Sequence, residues 1–282
     1  MATITTQVTR APTSPAGAAR RRRTVRSGWL LPVWGWAVIA WLSLPVVVMI
    51  VFGFNDTQGK QNDTWNGFTL RWYRDLFAIP DLTTALKNSL EIAAISTSVA
   101  VVLGTLLGYA LGRSKFRGSG SVTLLLFANI AAPEIVLGAA LLSMFLTLGV
   151  PRGFWTIVVA HVMFSLAYVA VTVRARMAGL DPSLEEASRD LGAGPAETFF
   201  RVTLPGLLPG VLSGALLAFA LSIDDYIITS FNNGSTITFP LWVYGASRIG
   251  VPPQVNVMGT LIFAFGVLLA VGGLVSGRRR KA

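Results

Sequence analysis

The feature that most limits what this chain can become is a stretch of 25 residues, Leu30 to Phe54, with no Asp, Glu, Lys, Arg or His. About 20 apolar residues in helical form cross a bilayer core, so the stretch reads as a membrane-spanning helix. Ile92–Gly112, Thr203–Ile223 and Ile249–Gly277 are uncharged in the same way, and Phe154–Val173 is interrupted only by His161. Gly118–Pro151 is harder, because its 34 residues carry one charge, Glu134, and exceed a single span. Two spans of about 17 residues would each sit at the shortest usable length. Proline removes a backbone donor and crowds the preceding turn, so the segment is read as one helix, kinked or interrupted near Pro133.

The charges between spans agree with a count of six. With both termini inside, the inner segments carry Arg10, Arg20 to Arg23, Arg26, Arg113, Lys115, Arg117, Arg174, Arg176, Arg189, Arg201, and Arg278 to Lys281. These are 17 of the 23 basic residues, the inward excess that sets membrane topology. Splitting the third span would put the last two groups outside. The expected fold is therefore an all-α integral membrane protein with six transmembrane helices, at about 30–54, 87–112, 120–149, 154–174, 205–230 and 254–276. Composition concurs, since 53% hydrophobic and 13% charged residues leave too little polar surface for a soluble domain. The net charge of +10 thus has a topological origin, with anionic lipid as the partner of the basic clusters rather than nucleic acid. Residues 1–27, rich in Ala, Thr, Ser, Pro and Arg, read as a disordered cytoplasmic leader, and the apolar run behind them is too long for a signal-peptide core. Without cysteine the chain has no disulfide or thiolate chemistry.

The longest internal connection, Arg174–Pro205, has a pattern of its own. Asp181-Pro182-Ser183 is a helix start, and Ser183-Leu184-Glu185-Glu186 fits a capping box. Leu184, Ala187 and Leu191 then share one helical face. Gly192-Ala193-Gly194-Pro195 makes a turn, and Pro195 suits the first position of a second short helix. Phe199, Phe200 and Val202 give that second piece an apolar side. A helix–turn–helix with exposed apolar residues is a docking shape.

Glu186-Ala187-Ser188, three residues, Gly192, nine residues, Val202, one residue, then Leu204-Pro205 resembles the EAA loop of binding-protein-dependent ABC permeases. The family pattern has Ala where Ser188 stands and Ile where Val202 stands, two conservative departures. The resemblance runs from about Leu86 to Val275. Lys115-Phe116-Arg117-Gly118, Pro133-Glu134-Ile135-Val136, Leu221-Ser222-Ile223-Asp224-Asp225, Phe239-Pro240-Leu241 and Pro253-Gln254-Val255-Asn256 are similar to segments of spermidine and putrescine permeases. It implies a type I ABC importer permease fold over residues 28–282, with a cytoplasmic coupling loop at 175–204. Glu185, Glu186, Ala187, Ser188, Asp190, Leu191, Gly192, Ala193, Leu204 and Pro205 are the expected ATPase-coupling residues. The implied partners are an ABC ATPase subunit dimer, a second and homologous permease subunit, an extracytoplasmic solute-binding protein and a small cationic solute. The implied location is the bacterial cytoplasmic (inner) membrane, with both termini cytoplasmic.

Acids within spans are costly and usually functional. Asp224 and Asp225 begin about 18 residues into the fifth helix, roughly 27 Å along it. Adjacent helical positions differ by about 100°, so one carboxylate can face the pathway while the other meets a neighbouring helix. With Tyr226 and Phe231 they offer charge and aromatic faces to ammonium groups. The alternative is a structural pair bound to helix ends or to Arg248. Glu134 either pairs with backbone donors freed at Pro133 or joins the pathway. His161, Ser165 and Tyr168 share one side of the fourth helix and read as interhelical hydrogen-bonding groups. None of the acids forms a metal pattern. The nearest approach to a phosphate-binding loop, Gly53 to Gly59-Lys60, has the wrong spacing and is followed by Gln61. No catalysis and no cofactor are therefore expected on this chain, with ATP and Mg2+ held by the partner ATPase. The alternatives are an ABC permease for another small solute, a stand-alone secondary transporter, in which the EAA-like loop has no purpose, and a membrane-embedded enzyme, which one histidine and acids spread over several spans do not favour.

Overall fold

The computed structural model describes residues 29–59, 61–114 and 116–279. The expected leader at 1–27, Lys115 and the end of the basic tail lie outside the described residues. The chain divides into two units at Pro45, a proline inside the first helix, α1 (Leu30–Phe52). In the first unit, the described residues are dominated by exposed apolar side chains, among them Trp34, Trp36 and Trp41. The second unit begins at Val46 and holds the core.

After α1 come a single turn, α2 (Arg71–Arg74), and the long α3 (Pro80–Arg113). The boundary expected at residue 87 falls inside α3. Pro80 occupies a first-turn position, where its missing amide needs no partner. The helix also continues beyond the apolar run, and Lys87 pairs with Glu91 one turn on at 3.7 Å. Within Leu70–Phe77, Leu76 is buried, and Trp72 and Tyr73 join a cluster with Leu82, Val257 and Met258.

α4 (Ser119–Ala131) and α5 (Glu134–Thr147) meet at an angle of 109° across Ala132–Pro133. The third span is thus interrupted at Pro133, which cannot donate to a continuous helical ladder. α6 (Phe154–Met177) follows, then two short helices, α7 (Ser183–Asp190) and α8 (Pro195–Thr198). A π-helical turn, Phe199–Thr203, leads into α9 (Leu204–Asp224). The fifth span, expected to run without a break to residue 230, ends instead at Asp224. Asp225 is extended (φ −63°, ψ 123°), and the helix resumes as α10 (Ile227–Asn232). α11 (Phe239–Ala246) and α12 (Pro253–Arg279) complete the described chain. Among the described residues four helical runs are long and apolar enough to cross a membrane, or five when the bent α4–α5 pair is counted as one span; the described apolar part of α12, Pro253–Leu269, is shorter.

The core is α6 held between α3 and α9. Gly104, Gly108 and Gly112 on α3 face Val169, Val173 and Met177 on α6, all at four-residue spacing. Gly210 and Gly214 on α9 face Arg176 and Val169. Lipid gives helices no hydrophobic reason to associate, so close backbone approach at small residues supplies the packing energy. The remaining seam is filled by Val169, Val173, Met177, Leu207, Val211 and Ala218.

A side chain at Gly108 would meet the Ala170 carbonyl oxygen at 2.6 Å and Val173 Cβ at 2.9 Å. Gly108→Leu is therefore expected to destabilise the chain by about 1–3 kcal/mol, the usual penalty for overpacking. A thermal unfolding series in detergent checks this, with Gly120→Ala, where nothing lies within 4 Å, as the tolerated control.

Candidate functional site

A cavity of about 420 Å³ opens where α4, α5, α6, α9 and α10 converge, beside the two helix breaks. Its lining includes Glu134, Asp224, Asp225 and Tyr226, together with Asn129, Phe164 and Tyr168. Each break delivers one part of this set. Pro133 ends α4 and places Glu134 on the first turn of α5. The loss of helix at Asp225 places Asp224 at the last position of α9. The carboxylates thus sit at backbone discontinuities, which membrane proteins tolerate where they line a cavity.

The two aspartates differ sharply. Asp225 has a side chain 5% exposed, and one oxygen accepts both the Thr229 amide at 2.7 Å and the Thr229 hydroxyl at 2.6 Å. The same oxygen lies 3.3 Å from His161 Nε2. His161, buried on α6, also hydrogen-bonds Thr229 Oγ1 at 2.9 Å and, through Nδ1, Ser222 Oγ at 2.7 Å; Ser222 in turn meets Ser96 of α3 at 3.2 Å. One imidazole therefore joins α6 to α9 and α10, with a relay to α3. Asp225 caps the start of α10 and belongs to this network. Asp224 and Glu134 are exposed at the cavity, and neither carboxylate has a hydrogen-bond or ion-pair partner among the described residues.

Several readings from sequence change on this geometry. Asp224 and Asp225 are not consecutive positions of one helix, so their separation comes from the break and not from helical rotation. Arg248 bonds Tyr244 at 3.1 Å and is not the partner of either aspartate. Glu134 lines the cavity and makes none of the backbone bonds considered for it. Tyr226 lines the cavity and packs against Tyr244, with ring centroids 4.6 Å apart and planes tilted by 39°. Phe231 lies elsewhere, against Gly138. Asn129 and Phe164 were missed, because neither an isolated amide nor an aromatic in an apolar run signals a cavity. Among the described residues no three His, Cys, Asp or Glu side chains converge closely enough to hold a metal ion. No Lys or Arg lines the cavity, and its carboxylates give it the negative charge that suits a cation.

The second feature is the hairpin of α7 and α8. The expected capping box does not form. Pro182 is the N-cap residue, and the Ser183 amide donates to Asp181 Oδ1 at 2.9 Å, which holds the Asp181 carboxyl below its ordinary range. Aspartate ahead of a proline closes an Asx-type turn, and this puts Ser183 already inside the helix. Gly192 ends α7 with φ +91°, a left-handed conformation that side-chain-bearing residues disfavour. Leu184, Glu186, Ala187, Asp190 and Leu191 are exposed, Leu191 at 90%, as is Phe200. Glu185 and Ser188 turn the other way: Glu185 is buried, and Ser188 Oγ lies 3.3 Å from Thr198 Oγ1, joining the two short helices. Ala193 is half-buried in the turn, and Leu204 and Pro205 open α9.

Residues 100–278 match the family model for the binding-protein-dependent transport system inner membrane component. Among curated relatives, the putrescine transport system permease protein PotI of Escherichia coli (strain K12) is 38% identical, over 91% of this chain and 94% of that protein. The spermidine/putrescine transport system permease protein PotC of the same organism is 34% identical, over 91% of this chain and 95% of that protein. Among solved structures, a bacterial ABC transporter involved in the import of the acidic polysaccharide alginate superimposes with a TM-score of 0.64 at 15% identity, covering 88% of this chain and 94% of that one. That fold, the interrupted spans and the family match agree, and the chain is a multi-pass membrane protein of the binding-protein-dependent transport system inner-membrane-component family.

Proposed function

We propose that this chain is the transmembrane permease subunit of an ATP-driven importer of polyamines, with putrescine and spermidine as substrates. The observation that carries the reading is the cavity with two unpartnered carboxylates and no basic residue, in a chain with relatives named for these amines. A polyamine is a string of ammonium groups on an apolar stem. Asp224 and Glu134 offer charge-assisted hydrogen bonds to such a group, while the rings of Tyr168, Tyr226 and Phe164 offer cation–π faces and apolar contact to the stem. Asp225 contributes by holding the break open in a fixed shape.

In this reading the termini and the α7–α8 hairpin face the cytoplasm, and Leu184, Glu186, Ala187, Asp190, Leu191 and Phe200 form the surface for an ATPase dimer. ATP and Mg2+ reside on that partner. ATP binding closes the dimer and shifts the hairpin, and the spans open outward to receive solute from an extracytoplasmic binding protein. Hydrolysis then returns the spans to the inward state, the ordinary conversion of one rigid-body closure into another. A second, homologous permease subunit completes the pathway.

Labelled putrescine and spermidine uptake into cells carrying or lacking the chain, with other carriers removed, tests the substrate; undiminished uptake on deletion would move the search to another small solute. Asp224→Asn with Glu134→Gln should lower uptake about tenfold or more, the loss of charge-assisted bonds worth about 1.5–3 kcal/mol each, with assembly unchanged. Asp225→Asn should show itself in stability first, by about 1–3 kcal/mol in thermal unfolding, since it weakens a buried network. Gly192→Asp should leave the chain inserted but abolish ATPase co-purification or transport, because the left-handed turn is strained by about 1–3 kcal/mol and a charge enters the docking surface. Normal transport by that variant would remove the hairpin from the mechanism.

A further inference from the structure

We propose that Glu185 and Arg113 form the joint through which the hairpin moves α3, so that Glu185 is a transmission residue and not a contact for the ATPase. The inference rests on the importer reading above. α6 and α9 are joined to the hairpin through the chain itself, whereas α3 ends at Arg113 and has no covalent link to it. Its connection is made by side chains. Arg113 Nε lies 2.8 Å from Glu185 Oε2, and Thr203 Oγ1 donates to Glu185 Oε1 at 2.9 Å. The Glu185 side chain is 5% exposed and that of Arg113 is 24% exposed. Arg189 stands 4.0 Å from the same carboxylate. One turn earlier on α3, Tyr109 packs edge-to-face on Phe199, with ring centroids 5.0 Å apart. Both partners, Phe199 and Thr203, belong to the π-helical turn between the hairpin and α9.

An ion pair between a buried carboxylate and a partly exposed guanidinium has a use here that an apolar contact lacks. An apolar contact slides, but a charge removed from its partner in a low-dielectric setting is heavily penalised, so the pair transmits displacement in both directions. α3 then carries the displacement without a break for 34 residues, about 51 Å at the helical rise. Midway, Ser96 meets Ser222 of the network behind the cavity. At the far end Leu82 packs with Val257 and Met258, Ser89 accepts the Phe239 amide at 2.9 Å, and Asn88 donates to the Ile237 carbonyl at 2.9 Å. Motion of the hairpin thereby reaches the cavity wall and the start of α11 through one helix.

The test uses the chain assembled with its ATPase and partner permease in proteoliposomes, carrying a single thiol at Asp81→Cys, an exposed site on the first turn of α3 in a chain with no natural cysteine. ATP with vanadate should change the maleimide labelling rate at that thiol by about fivefold or more, the lower end of ordinary coupling between sites. Arg113→Gln and Glu185→Gln should each cancel that change while the recovered complex still hydrolyses ATP. Their combination should lose no more than either alone. Arg113→Lys, which keeps the charge, should retain part of the response. A labelling change that persists in both neutral variants overturns the proposal. If the neutral variants do not assemble, Arg113→Lys and Glu185→Asp decide it: a graded loss supports the joint, and an unaltered response in both overturns it. Putrescine uptake by the same vesicles is scored separately. Uptake without a labelling change in the unsubstituted joint refutes the lever alone, and a labelling change without uptake refutes the substrate reading alone.

Discussion

Everything in the second unit depends on how closely α3, α6 and α9 approach one another. Helices in lipid gain nothing from burying one apolar surface against another, so van der Waals contact at short range must hold them. The chain meets that demand with glycines spaced four apart on α3 and on α9, each set turned toward α6. With that contact made, α6 is buried on two sides, and its single histidine bonds to residues on α9 and α10 and reaches α3 through Ser222.

The network around His161 follows from that burial. A buried polar group without partners is costly, and the imidazole brought into the α3–α6–α9 seam finds partners at both of its nitrogens. Ser222, Thr229 and Asp225 satisfy the imidazole, with Ser96 behind Ser222, and this network sits where α9 stops one residue short of Asp225 and α10 starts just beyond it. The opposite break, at Pro133, has a simpler cause in the missing amide of proline. The cavity lies where these two breaks face each other. Its acids divide by partnership: Asp225 is bound into the wall, and Asp224 and Glu134 are left to meet whatever enters.

The hairpin follows a similar division. Its apolar and acidic residues at 184, 186, 187, 190 and 191 are exposed, and Glu185 is turned to the inside, against Arg113 and Thr203. Consecutive glutamates on one helix face about 100° apart, so the pair Glu185-Glu186 serves two different surfaces. Nothing in the spacing of the motif distinguishes them, because the partner of Glu185 lies 72 residues away at the end of α3.

The sequence by itself determined the membrane class, the position of the apolar segments, the presence of a kink or interruption at Pro133 and the helix–turn–helix around Gly192. Each of these rests on a local property: a run without charge, a missing amide, a residue that accepts positive φ. It also marked Asp224, Asp225, Tyr226 and Glu134 as unusual, since charge in an apolar run is visible from composition. The tertiary structure alone decided which of those acids is free, why the fifth span breaks, that Phe231 stands apart, and that α3 is tied to the hairpin. These outcomes depend on what lies opposite each side chain after α3, α6 and α9 have packed. A single helix carries its own period and caps but holds no record of the neighbour that will satisfy its polar groups.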